Sequence, residues 1–319
     1  MTTLPIAGLV GHYRVALRAQ GKSPRSVKGY VDAVARLERW LAAEGRSTAV
    51  GDVSKRDLEA WMVALAETVT RSGGLMRPTS VASYYRWVQQ FFRWCVTEEE
   101  IASSPMDKMT PPAFGEPEVS AVSLEEFRAL MATTAGSSRL EDRRDAAIIS
   151  AFYDTGMRLD EMVGLRLDSL DLEAGTVTVL GKGSKVRTLG LGANTLQAVM
   201  RYCRARDAIL PPQGATALWL TRQGAPDRAM KVTGISDMVK RRARRAGIRH
   251  VTPHQFRHGW ASNMKQANIQ LDEFKAAGGW ASNVMPERYG RATIKARAVQ
   301  TMKRLSPVDA AARGHTDVV

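Results

Sequence analysis

The amino-acid sequence predicts a mainly α-helical protein with a small β-sheet, built as a helical N-terminal domain followed by a mixed α/β domain. Three observations carry this. Apolar residues recur at three- and four-residue spacing through most of the 319 residues. Two short β-branched runs flank a Gly-Lys-Gly-Ser-Lys turn, the pattern of a β-hairpin. A proline-rich stretch without helical period separates the first third from the rest. At 44% hydrophobic, the chain has enough apolar residues for two separate cores.

In chain order, Ser23 and Pro24 supply an N-cap and a first-turn proline. Val27, Tyr30, Val34, Leu37 and Leu41 then form one apolar stripe that stops at Gly45. "SKRDLEAWMVALAE" reads as a second helix. "RPTSVASYYRWVQQFFRWCVTEEE" reads as a third, with Val81, Tyr85, Val88, Phe92 and Val96 on its apolar face and basic residues opposite. "SSPMDKMTPPAFGEPEVSAVS" carries four prolines and a glycine, a linker composition. The expected divisions are therefore a helical domain over 1–110, a linker over 111–120, a second domain over 121–305 and a polar tail over 306–319. In the second domain, Ser123 and Glu126 form a capping-box pattern. "RRDAAIISAFYDTGMRLDEMVGL" reads as two helices broken at Thr155-Gly156, and "TVTVLGKGSKVRTLGL" as the hairpin. Helices continue to the end apart from a short strand expected at "ALWLT".

Charge bounds the partners. A net charge of +14 and a pI near 10.1 point to a polyanion, with nucleic acid as the leading candidate. No apolar run approaches a spanning helix and the N-terminus lacks a signal-peptide pattern, so a membrane is not expected and the chain is placed in the cytoplasm. Cys95 and Cys203 sit in helical apolar patterns and suggest buried thiols, not a disulfide framework. Basic residues concentrate between Lys231 and His258, read as a helix, a turn at Gly247 and the start of another helix. Lys240, Arg241, Arg242, Arg244 and Arg245 are the candidates there for phosphate contacts, a solvated helix face being the plainer alternative.

Several chemistries fail on spacing. "GTVTVLGK" has one residue too many between its glycines for a P-loop, and glycine follows its lysine. His250, His254 and His258 recur every four residues, but Pro253 interrupts them and no acidic or thiol ligand stands beside them, which argues against a metal site. What remains is a set of cations and one tyrosine, which suits attack on a phosphodiester. Guanidinium groups can hold the developing negative charge, and a tyrosine can be the nucleophile where a base or positive potential assists it. Arg158, Lys182, His254, Arg257 and Tyr289 supply each role, though the chemistry alone does not single them out.

These residues carry a resemblance to the tyrosine recombinases, the family of phage integrases, Xer and Cre proteins. "TGMRLDEMVGL" resembles the first box, placing the first catalytic arginine at Arg158 and its supporting acid at Glu161. "VLGKGSKVRTLGL" is similar to the lysine-bearing hairpin, with Lys182 as the catalytic lysine. "TPHQFRHGWAS" matches the His-x-x-Arg box at His254 and Arg257. Trp280 and Tyr289 stand at the family's nine-residue spacing, with Tyr289 matching the nucleophile. Most members have histidine where Trp280 stands; Cre-like members have tryptophan, so an indole N–H would take that role. Singly, each of these residues has an ordinary structural reading as a surface ion pair, a turn lysine or a core aromatic. Their order and spacing together carry the resemblance. The family implies a helical core-site DNA-binding domain and a catalytic domain that cuts and rejoins DNA without metal, cofactor or nucleotide. It also implies double-stranded DNA with an inverted-repeat core site as partner, a monomer in solution, a homotetramer on DNA, and accessory factors in some members. In the same reading the stripe Ile294, Ala298, Met302 and Leu305 docks on a neighbouring subunit, packing within its own subunit being the plainer alternative. A type IB topoisomerase and a non-catalytic DNA-binding protein on the same scaffold are the alternatives. "HQFR" in place of Lys-x-x-Arg and the complete residue set weigh against them.

Overall fold

Caps and apolar spacing together set the helices of the N-terminal unit. The computed structural model describes residues 4–70, 73–112, 120–181, 185–209, 216–221 and 229–283, with single positions 286, 299, 302, 303, 306 and 308. Two compact units divide the chain, Met1–Pro117 and Glu118–Val319. The first contains α1 (Ile6–Ala19), α2 (Pro24–Ala43), α3 (Lys55–Ala66) and α4 (Pro78–Thr97). Ser23 accepts the Ser26 N–H at 3.2 Å to cap α2, and Ser54 with Asp57 closes a capping box on α3. Each cap is worth about 1 kcal/mol. Val27, Val34, Leu37 and Leu41 of α2 share one buried core with Val81, Tyr85, Val88 and Phe92 of α4, while Val96 is only partly buried. The sequence reading did not single out α1, whose Ile6, Leu9, Tyr13 and Leu17 bury one face at three- and four-residue spacing. Arg25, Lys28 and Arg39 of α2 and Arg86 and Arg93 of α4 are exposed.

The second unit contains α5 (Leu124–Ala132), α6 (Leu140–Thr155), α7 (Leu159–Val163), β1 (Leu170–Asp171), β2 (Thr176–Leu180), β3 (Val186–Gly190), α8 (Ala193–Asp207), α9 (Val232–Arg245), α10 (Pro253–Gln266) and α11 (Leu271–Gly278). The expected capping box at Ser123 and Glu126 opens α5. The three strands form one antiparallel sheet in the order β1-β2-β3, with Val177 opposite Leu189 and Val179 opposite Arg187. Central to the unit is α6, whose Ala147, Ile148, Ile149, Ala151 and Phe152 are all buried. "ALWLT" does not become a strand; it makes only single bridges, Arg166 with Ala217 and Leu220 with Ala229. The reason is a side chain from α8. The buried Tyr202 hydroxyl donates to the Leu218 carbonyl at 2.9 Å and accepts the Leu220 N–H at 3.0 Å, satisfying backbone groups that a neighbouring strand would otherwise take. Among the described residues, no helix is long and apolar enough to cross a membrane.

Candidate active site

The break between α6 and α7 begins the site. Gly156 ends α6 at φ 58°, and a Cβ there would lie 2.5 Å from ring atoms of Trp260, so the turn needs glycine both for its backbone and for its packing. The turn delivers Arg158 as the residue that caps α7. The Arg158 N–H donates to Glu161 Oε2 at 2.7 Å, its Nη1 to Oε1 at 2.9 Å, and its Nη2 approaches the Gly279 carbonyl at 3.4 Å. Its side chain stays 37% exposed, whereas that of Glu161 is 3% exposed. Burial alone would raise the Glu161 pKa. Hydrogen bonds from Arg187 and Arg158 outweigh that and hold it at about 2, so the carboxylate is ionised.

At the start of α10, Thr252 and Gln255 form a capping box around Pro253 and so fix the first turn, which carries His254 and Arg257. Arg257 is buried at 3% exposure; its Nη1 donates to the Gly156 carbonyl at 2.8 Å and its Nη2 to the Gly278 carbonyl at 2.5 Å. Its guanidinium stands 4.7 Å from the centroid of the Trp280 ring, within cation–π range. Trp280 follows the left-handed Gly279 that ends α11, and its ring packs on Phe274 at 4.8 Å. A Cβ on Gly278 would lie 2.0 Å from the Trp280 ring, so "GGW" is a packing unit.

Arg158, Ser236, Thr252, His254, Arg257 and Trp280 line one cavity of about 510 Å³. His254 is exposed at this lining, yet partial desolvation first, then Arg257 and Arg158, lower its pKa from the ordinary 6.5, favouring the neutral imidazole. A larger cavity of about 740 Å³, with Phe127, Met131 and Arg201 in its wall, contains none of the expected site residues. Chemistry favours the smaller one, where cations and a proton acceptor converge.

The structure thus brings Arg158, Glu161, His254, Arg257 and Trp280 together. Lys182 and Tyr289 lie outside the described residues; nearest to Lys182, the Gly181 N–H donates to the Lys185 carbonyl at 2.7 Å across the hairpin end. Ile294, Ala298 and Leu305 also lie outside them, and Met302 is 73% exposed. On α9, Lys240, Arg241, Arg244 and Arg245 are exposed, but Arg242 is not and is withdrawn from the candidate phosphate ligands. It is 6% exposed, with Nη2 at 2.5 Å from Asp142 and 2.7 Å from Asp145 and Nη1 donating to the Thr133 carbonyl. Its place on the apolar stripe of Ile235, Met238 and Val239 explains this. One residue of the cluster went unread in the sequence. Arg187 on β3 donates Nη1 and Nη2 to the two Glu161 oxygens, both at 2.8 Å, and Nε to the Ala277 carbonyl at 2.9 Å. The available signal was period two, which puts Arg187 on the same face as the buried Leu189.

An arginine-walled cavity thus lies in a mainly helical unit with a small antiparallel sheet. Residues 121–295 match the model of the phage integrase family, and the chain belongs to that family. It is similar to the tyrosine recombinase XerC of Stutzerimonas stutzeri (strain A1501), 38% identical over 133 residues, covering 40% of this chain and 42% of that protein. It is also similar to XerC of Pseudomonas entomophila (strain L48), 34% identical over 193 residues, 60% and 62% of the two chains. To the tyrosine recombinase XerD of Neisseria meningitidis serogroup A the match is 28% over 252 residues, 77% and 80%. The first two matches span less than two thirds of those relatives. Among solved structures, the Tn1549 transposon integrase in complex with transposon right end DNA is similar at a TM-score of 0.71, 19% identical, covering 95% of this chain and 100% of that one. A lambda integrase dimer bound to a COC′ core site is similar at 0.69, 14% identical, covering 90% and 77%. At these identities the likeness establishes the fold, mainly α with a small sheet.

Proposed function

We propose that the chain is a site-specific DNA recombinase that cuts and rejoins strands through a 3′-phosphotyrosyl intermediate on Tyr289. The observation that supports this most is the convergence of Arg158, Arg257, His254 and Trp280 on one cavity. The Tyr289 hydroxyl oxygen attacks the scissile phosphorus and passes its proton to neutral His254. The bond from phosphorus to the 5′ oxygen breaks, and Lys182 protonates that oxygen. Arg158 and Arg257, with the Trp280 indole N–H, hold the non-bridging oxygens as charge develops. A 5′ hydroxyl from a partner duplex reverses the step, and the phosphotyrosyl bond conserves the energy of the one it replaced. Double-stranded DNA with an inverted-repeat core site is the proposed partner, bound by a protein that is monomeric in solution and tetrameric on DNA.

Tyr289→Phe tests the reading, because it removes one hydroxyl. Incubated with a nicked suicide duplex carrying the chain's own core site, located by DNA protection, the unaltered protein should give a covalent adduct in denaturing electrophoresis. The variant should bind equally and give none. An adduct from the variant would mean another nucleophile.

A further inference from the structure

We propose that Arg187 is a positioning residue that fixes Arg158 and Trp280 for the strand-cleavage step, acting through Glu161 and the end of α11; this rests on the recombinase reading above. Arg187 does not belong to the cavity lining formed by the described residues, so it acts through its neighbours. On β3 it occupies an inward register opposite Val179, with its side chain 12% exposed. An apolar residue would fill such a place with less desolvation, so a guanidinium there needs strong compensation. It has that in a two-pronged pairing with both Glu161 oxygens and a third bond to Ala277.

Each of those contacts leads to the active site. Glu161 also receives the backbone N–H and Nη1 of Arg158, so Arg187 and Arg158 share one carboxylate. At the end of α11, three successive carbonyls each meet a different arginine: Ala277 meets Arg187, Gly278 meets Arg257 and Gly279 meets Arg158. A helix C-terminus leaves its last carbonyls without intrahelical partners and carries partial negative charge, so three guanidinium groups hold it firmly. Arg187 also bounds Gly279 closely, since a Cβ there would lie 3.0 Å from its Nη1. The next residue is Trp280. Arg187 therefore sets the direction of the first arginine and the place from which Trp280 reaches the cavity.

The test measures adduct formation in a single turnover on the nicked core-site duplex, alongside affinity for the intact duplex. Arg187→Gln should slow the adduct about a hundredfold, the scale of an ångström-sized misplacement of reacting groups. Affinity, which rests on many phosphate contacts, should change less than about threefold. Arg187→Lys keeps the charge without the fork and should recover part of the rate. Because one of its two routes runs through Glu161, Arg187→Gln combined with Glu161→Gln should lose clearly less than the product of the two single losses, the remainder being the separate Ala277 contact, a non-additivity that general loosening would not produce. Full speed in Arg187→Gln, or losses that multiply in the double variant, overturns the inference alone. If the unaltered protein forms no adduct, the recombinase reading falls and the inference with it. If Arg187→Gln loses its helical circular dichroism, Arg187→Lys decides on the same readouts, and loss of fold in both would assign Arg187 to the core and overturn its positioning role.

Discussion

Two arginine–carboxylate clusters lie in the second unit, and they differ in charge balance and access. Around α6, Arg144 and Arg242 meet Asp142 and Asp145, all with little exposure. Asp145 accepts Arg144 at 2.7 Å and 3.0 Å through one oxygen and Arg242 at 2.9 Å through the other. Two cations face two anions, and Arg144 spends its remaining reach on the Leu220 carbonyl at 2.8 Å. Around α7 and α10, Arg158 and Arg187 share the carboxylate of Glu161, Arg257 is held by the Gly156 and Gly278 carbonyls, and Arg158 and Arg257 both line a cavity. The balanced cluster also borders a cavity, of about 340 Å³, but its four side chains are at most 13% exposed and are spent on one another, so it is closed in its pairing and holds helices together. The open one keeps surplus positive charge where an anion can enter, an arrangement that costs folding energy and is retained where it serves binding or catalysis.

The comparison can be broken first at the closed cluster. Asp145→Asn leaves two buried arginines without their shared carboxylate and should destabilise the protein by about 3–5 kcal/mol, read from urea unfolding. A loss below 1 kcal/mol would mean that the cluster is already solvated. A second effect isolates Glu161 by pH. Glu161 has its folded-state pKa depressed from 4.5 to about 2, so its stabilisation is fully present above pH 4.5 and is lost as pH falls toward 2. The stability gap between the unaltered protein and Glu161→Gln should therefore be widest above pH 4.5 and narrow through that window; a constant gap would contradict the depressed pKa. Third, an NMR titration of His254 should give a pKa below 6.5, set by desolvation and by Arg257 and Arg158, and Arg158→Gln should move it upward. An unmoved titration would detach His254 from the cavity's field. The smallest effects belong to the exposed face of α9. Alanine at Lys240, Arg241, Arg244 or Arg245 should each reduce the salt slope of DNA binding by about one and weaken all sequences alike. Replacing Arg242 should instead reduce stability.

Sequence legibility followed the same division. Helical stripes and caps were readable because each depends on neighbours within a few residues, as at Ser23, Ser123 and Gly156. Arg158, His254, Arg257 and Trp280 were readable through motif order, and the fold draws them to one cavity. Arg187 and Arg242 were not. Both are arginines on inward-facing registers, one beside Leu189 in a strand and one beside Val239 in a helix, with carboxylate partners 26 to 100 residues away in sequence. A charge run read as a composition hides the one member whose face turns inward. The failed strand at "ALWLT" has a similar cause, since its decisive partner, the Tyr202 hydroxyl, is 16 to 18 residues distant.

Stability and adduct rate, measured side by side in Arg158→Gln and Asp145→Asn, test the division of labour most directly. Arg158→Gln should leave the unfolding free energy, read from urea titration, within about 1 kcal/mol of the unaltered protein, because Arg187 still covers Glu161. Its covalent adduct on the nicked core site should form about a hundred- to a thousandfold more slowly, the loss expected for one donor to a developing oxyanion. Asp145→Asn should do the reverse, losing several kcal/mol while its folded fraction forms adduct at the unaltered rate. If Arg158→Gln instead unfolds readily and cleaves normally, or Asp145→Asn stays stable and cleaves slowly, the assignment of chemistry to the open cluster and stability to the closed one is wrong.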